Sequence, residues 1–157
     1  MPIFHETSLE CARAIVQDGF RVPPDMIEQD QCANLYEGRL SSEARNTGCR
    51  MVFEWAGGPA EEFSGRSVSD MQPGILYRQN WSGGGLWRLA LRPGTDAGLT
   101  FVRADFAADD PAMRGVYDAA EREFAEAAGR TIPVRYRDEQ TGEKQGLFRT
   151  VLGRLAG

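Results

Sequence analysis

The chain predicts an α+β domain, and three observations carry that prediction. Apolar residues recur at helical spacing in two stretches: Leu9, Ala12, Val16 and Phe20, and then Met113, Val116, Tyr117, Ala120, Phe124 and Ala127. Short β-rich runs lie between and after them, the clearest at Cys49 to Trp55, where Met51, Phe53 and Trp55 share one face and Arg50, Val52 and Glu54 the other. The order is strand, helix, several strands, helix and hairpin, which does not fit a doubly wound parallel sheet.

Taken from the start, Ile3-Phe4-His5-Glu6-Thr7 reads as a short strand. The helix after it opens with Thr7 and Glu10 at capping-box spacing and closes on Gly19, which can turn the chain with positive φ. Arg21-Val22-Pro23-Pro24 is a rigid extended stretch, followed by a long irregular loop through Ser42. Gly57-Gly58-Pro59 stops the Cys49 strand, and Ala60 to Ser69 reads as a polar connection. Ile75 to Tyr77 and Leu86 to Leu91 predict two strands joined across Asn80 to Gly85, with a turn at Arg92 to Thr95 and a further strand from Leu99 to Val102. The second helix is expected from Pro111 to Ala128, with Asp110 as N-cap, Pro111 in the first helical position and Gly129 ending it. Thr131 to Arg137 is β-rich, Asp138 to Gly142 is a turn, and Leu147 to Leu152 is the expected returning strand of a hairpin.

A chain of 157 residues suffices for one domain over 1–157 with a core that needs no staples. Cys11, Cys32 and Cys49 are odd in number and form no Cys-x-x-Cys pair, so reduced thiols are expected. A zinc site of the three with His5, the one histidine, is disfavoured by the wide spacing and by Cys11 lying within the first helix; no metal is expected. The net charge of −5 has the wrong sign for gripping nucleic acid through many phosphates, which is therefore a disfavoured partner. Single arginines can still clamp one dinucleotide, and those at 50, 78, 88 and 103 fall on or beside expected strands. No apolar run approaches membrane-spanning length and the first residues lack a signal-peptide pattern, so a cytoplasmic protein away from membranes is expected. The P-loop, the Gly-x-Gly-x-x-Gly turn and the Gly-x-Ser-x-Gly elbow are all missing from the sequence.

The corner from Ile3 through Phe20 resembles the opening of ADP-ribosyltransferases of the diphtheria-toxin and PARP-like, His-Tyr-Glu type, where the strand reads His-Gly-Thr or His-Gly-Ser. The resemblance implies an ADP-ribosyltransferase-like split β-sheet core with flanking helices. It implies NAD as substrate, cleavage of the nicotinamide glycosidic bond, and transfer of ADP-ribose to a protein or small-molecule acceptor. Such cleavage passes through an oxocarbenium-like species and asks for a bent dinucleotide, a stacked nicotinamide and one well-placed carboxylate.

By that resemblance His5 hydrogen-bonds the ribose and helps orient the nicotinamide amide. Glu6 stands where the family has Gly; its backbone still holds the amide, while its side chain must turn away from the anionic ligand. Thr7 bonds the ligand or caps the helix. Tyr36 takes the position of the stacking aromatic with Tyr77 as its rival, and Glu139 that of the carboxylate, with Glu143 and Glu54 as alternatives. A compact chain of this kind looks like a bacterial toxin or effector, acting in the cytoplasm or delivered into a target cell's cytosol by a specialised secretion system. A cognate immunity protein or antitoxin is then a further partner. The rival readings are NAD glycohydrolysis on the same fold and a non-catalytic, immunity-type interaction module presenting apolar surface around Trp81 and Trp87.

Overall fold

Pro2–Thr7 form β1, an interior strand of a seven-stranded sheet, in a computed structural model that describes residues 1–26, 31–38, 48–80, 87–106 and 111–137. There follow α1 (Leu9–Asp18), β2 (Phe20–Val22), β3 (Ala33–Tyr36), β4 (Cys49–Trp55), β5 (Glu61–Glu62), β6 (Leu76–Asn80), β7 (Trp87–Leu91), β8 (Leu99–Phe106), α2 (Arg114–Ala127) and β9 (Val134–Tyr136). The large sheet runs β5-β6-β7-β3-β1-β4-β8, antiparallel throughout except between β5 and β6; β2 and β9 form a separate parallel pair. The chain is thus α+β, with a mostly antiparallel sheet and two helices among the described residues. No described helix is long and apolar enough to cross a membrane.

One face of the sheet carries the main core. Ile3, Leu35, Met51, Phe53, Leu76, Leu89, Leu91, Leu99 and Phe101 point into it, and Ala12 and Ile15 of α1 and Ala120, Phe124 and Ala127 of α2 belong to the same cluster. A series of ring contacts threads this layer: His5 to Phe20, Phe20 to Phe53, Phe53 to Phe101, Phe101 to Phe124, then Phe106 and Tyr117, with centroids 5.1 to 5.9 Å apart. All but the stacked Phe106–Tyr117 pair are tilted or edge-on, arrangements that suit the ring quadrupoles. A smaller cluster of Cys32, Val68, Met71, Tyr77 and Ala90 lies beyond the main core. It sits on the opposite face of the β6–β7 half, since Tyr77 and Ala90 are direct cross-strand partners and alternate with the core residues Leu76, Leu89 and Leu91.

The helix N-cap differs from the capping box that the sequence suggests. Thr7 stays in the ladder opposite Cys49, so the cap falls one residue later, on Ser8, whose Oγ accepts from Cys11 N at 3.2 Å. At the other end Gly19 takes φ 84° and its N–H donates to Ile15 O. A Cβ there would lie 2.5 Å from Pro133 O, because Phe20 N donates to that same carbonyl as β2 docks beside β9.

Elsewhere the pattern and the fold part for identifiable reasons. β8 runs four residues beyond Val102 because a bulge pairs Phe53 with Phe101 but Val52 with Arg103. The extra residue reverses the alternation, so Leu99 and Phe101 face the core before it and Ala104 and Phe106 after it. β3 lies within the stretch expected to be irregular; four residues give too short an alternation to announce a strand. Val134–Tyr136 pair with β2, while the hairpin partner expected at 147–152 lies outside the described residues. Helix α2 begins at Arg114, after a turn containing Pro111, and Val116 is 43% exposed although its spacing predicts burial.

Candidate functional site

The corner where β1 runs into α1 is built by alternation. Ile3, His5 and Thr7 lie opposite Phe53, Met51 and Cys49, all core residues, so the three share the helix-bearing face of the sheet. His5 sits half-buried, edge-on to Phe20. Its Nδ1 lies 2.7 Å from the carbonyl oxygen of Asn34, which fixes the proton on Nδ1 as donor and leaves Nε2 as acceptor. Burial pushes the imidazole below its ordinary pKa; the Asn34 carbonyl works against this and the Arg88 guanidinium with it. The ring is therefore neutral at pH 7. Among the described residues Nε2 has no hydrogen-bond partner.

Thr7 is half-buried two residues further along the same face, and its hydroxyl makes no hydrogen bond among the described residues. Ser8 performs the capping that Thr7 could have been spent on. Thr7 adjoins the first turn of α1, where backbone N–H groups and the positive end of the helix dipole favour an electronegative ligand atom, whereas the His5 ring packs against Phe20, just past the other end of the helix. Here the arrangement can accept one hydrogen bond at Nε2, and offer a hydroxyl and a polarising helix end.

Glu6 turns to the other face of the sheet. Its Oε1 accepts from Arg50 Nε at 2.8 Å and Nη2 at 2.5 Å, and only 4% of its side chain is exposed. Its Oε2 is buried without a partner, as is Oδ1 of Asn34, which the antiparallel register of Phe4 with Tyr36 places alongside Glu6. Arg50 in turn lies opposite Asp105, which holds Arg103 at 2.8 Å. The alternation of β4 already put Arg50 off the core face; that Glu6 would be its partner was invisible without the β1–β4 register.

The remaining candidates do not gather at the corner. Tyr36 pairs directly with Phe4, and so stands on the face opposite His5. Tyr77 is buried against Phe63 in the smaller cluster, its hydroxyl accepting from Gln72 N at 3.2 Å. Glu54 is exposed, lies across from Pro2 at the far end of β4, and holds the Met1 ammonium at 2.5 Å. Glu139, Glu143 and Trp81 lie outside the described residues.

The thiols are spread apart, Cys11 exposed on α1, Cys32 buried 3.9 Å from Met71 Sδ, and Cys49 buried on β4. Burial, aided by Asp105, pushes the Cys49 thiol up to about 12, so it is protonated at neutral pH and no nucleophile. Comparison of the chain with family models, with curated proteins and with solved structures finds no match.

Proposed function

We propose that this chain is an NAD-dependent ADP-ribosyltransferase of the His-Tyr-Glu type, cleaving the nicotinamide glycosidic bond and passing ADP-ribose to a protein or small-molecule acceptor. The observation that supports it is the pair of polar groups on one face of β1, His5 Nε2 and the Thr7 hydroxyl, which have no partner among the described residues, with Thr7 beside the N-terminus of α1. A neutral imidazole held by its Nδ1–H is suited to accept from a ribose hydroxyl, and the helix end to receive the amide oxygen of nicotinamide. The backbone of Glu6 lies between them, its side chain neutralised by Arg50 on the far face and out of the ligand's way.

A split-sheet core is part of the same proposal. β1 shares six registered pairs with β4 but only one, Phe4 with Tyr36, with β3, and the His5 ring takes the Asn34 carbonyl beside it. The junction beside His5 has the fewest registered pairs in this continuous sheet. Tyr36 faces away from that ring, so the reading rests on His5, Thr7 and a carboxylate from Glu139 rather than on all three members of the motif. The acidic charge favours a protein or small-molecule acceptor over nucleic acid, and a toxin or effector role follows from the resemblance alone.

The test is to incubate the purified chain with NAD labelled in its adenylate half. Nicotinamide release with label retained on a macromolecule or a small acceptor supports transfer. Release with all label recovered as free ADP-ribose replaces transfer by glycohydrolysis. No release and no NAD-dependent rise in melting temperature overturns the proposal.

A further inference from the structure

The parallel pair β2–β9 places Arg21 directly beside Arg135. Like charges opposite one another in a sheet repel, and a chain of net charge −5 has no general surplus of cations that would force them together. Arg130, just beyond α2, joins them around a cavity of about 530 Å³ that opens against the C-terminal end of α1, with Gln17 and Thr131 also in its wall. That volume lies within the range of small-ligand sites.

The positive charge is incompletely answered. Arg21 Nε is buried with no hydrogen-bond partner, and neither Arg21 nor Arg130 has a carboxylate partner among the described residues. Arg135 reaches Asp96 only at 3.9 Å, and the Asp96 side chain is 80% exposed. Asp18 is the one acidic residue in the wall.

We propose that this three-arginine cavity binds a small phosphorylated anion, the guanidinium forks of Arg21 and Arg135 gripping adjacent phosphate oxygens and Arg130 completing the neutralisation. Among the described residues no aromatic ring lines the cavity, so a base has nothing to stack on and the recognised chemistry is the phosphate itself. The cavity wall shares no residue with the corner assigned to NAD, although Phe20, between Gly19 and Arg21 in the chain, packs edge-on to the His5 ring; the arginine cavity stands independently of the NAD proposal.

The test is calorimetric titration of the full chain with inorganic pyrophosphate, at ionic strength matched with chloride. Saturable binding is expected in the wild type. It is expected to weaken at least tenfold in Arg21→Gln and in Arg135→Gln, and to persist in Arg13→Gln, whose guanidinium on α1 pairs with Glu123 of α2 away from the cavity. If a Gln variant does not fold, Arg21→Lys and Arg135→Lys keep the charge and lose the fork, and weaker binding is again expected. ADP and AMP distinguish a free phosphate from a nucleotide: binding no tighter than pyrophosphate supports the assignment, whereas markedly tighter ADP binding overturns it. No saturable binding, or binding unchanged in both arginine variants, also overturns it.

Discussion

Arg50 gives two hydrogen bonds to a single oxygen of Glu6, and the other oxygen of that carboxylate is buried with no partner. A pair so withdrawn from water gains little against two well-packed apolar side chains, yet removing one member strands the other. Arg50→Met is expected to cost roughly 3–5 kcal/mol. Glu6→Leu combined with Arg50→Met should recover most of that loss. Urea unfolding of the wild type and the two variants checks both statements through the midpoint shift at constant slope.

Ser8 and Thr7 separate capping from ligand binding. Ser8→Ala removes the Oγ that accepts from Cys11 N and should destabilise the fold by about 1 kcal/mol, while leaving nicotinamide release intact. Thr7→Val should do the reverse, holding the melting temperature near its wild-type value while raising the KM for NAD. Equal loss of stability in the two variants would return the cap to Thr7.

The His5 ring resists protonation when folded, whereas in the unfolded chain it takes a proton near 6.5. The unfolded state therefore binds more protons below that pH, and stability falls as the pH drops from 6.5 towards the depressed folded value. The slope can reach about 1.4 kcal/mol per pH unit, and it fades as the pH rises past 7. Because this is the one histidine, His5→Gln should flatten the stability profile between pH 7 and 5. An unaltered profile in that variant would assign the slope to other groups.

Gly19→Ala combines a positive φ with a Cβ 2.5 Å from Pro133 O. The cost is expected to exceed 1 kcal/mol, since the alanine cannot hold this backbone and the carbonyl it meets already receives Phe20 N. A thermal melt unchanged from wild type would show that β2 and β9 separate freely.

Alkylation distinguishes the thiols. Under native conditions iodoacetamide should label Cys11 first, because Cys32 and Cys49 are buried and the Cys49 thiol is held protonated by its surroundings. Peptide mass spectrometry before and after unfolding reads the order directly.

The legible parts of this fold were those in which periodicity runs long enough to be seen. The alternation of Cys49 to Trp55 and the later part of the α2 stripe, Ala120, Phe124 and Ala127, mark side chains that enter the core, and Phe53, Phe101 and Phe124 meet there. The obscure parts depend on pairing between distant segments. Asn34 looks like a loop residue until its carbonyl meets the His5 ring, and the Arg21–Arg135 apposition exists only because a three-residue strand finds another more than a hundred positions away. The bulge after Phe101 hid half of β8 by reversing its phase. His5 was conspicuous as a singular residue; what alternation alone could not tell was that Tyr36 would stand across the sheet from it.

The ring series that begins at His5 and ends at Tyr117 turns the imidazole into a built-in spectroscopic probe. With a single histidine in the chain, its Hε1 proton gives one line needing no assignment, displaced by the ring current of Phe20 5.1 Å away. A loosened α2, transmitted through Phe124, Phe101 and Phe53, would move that line before any strand is lost.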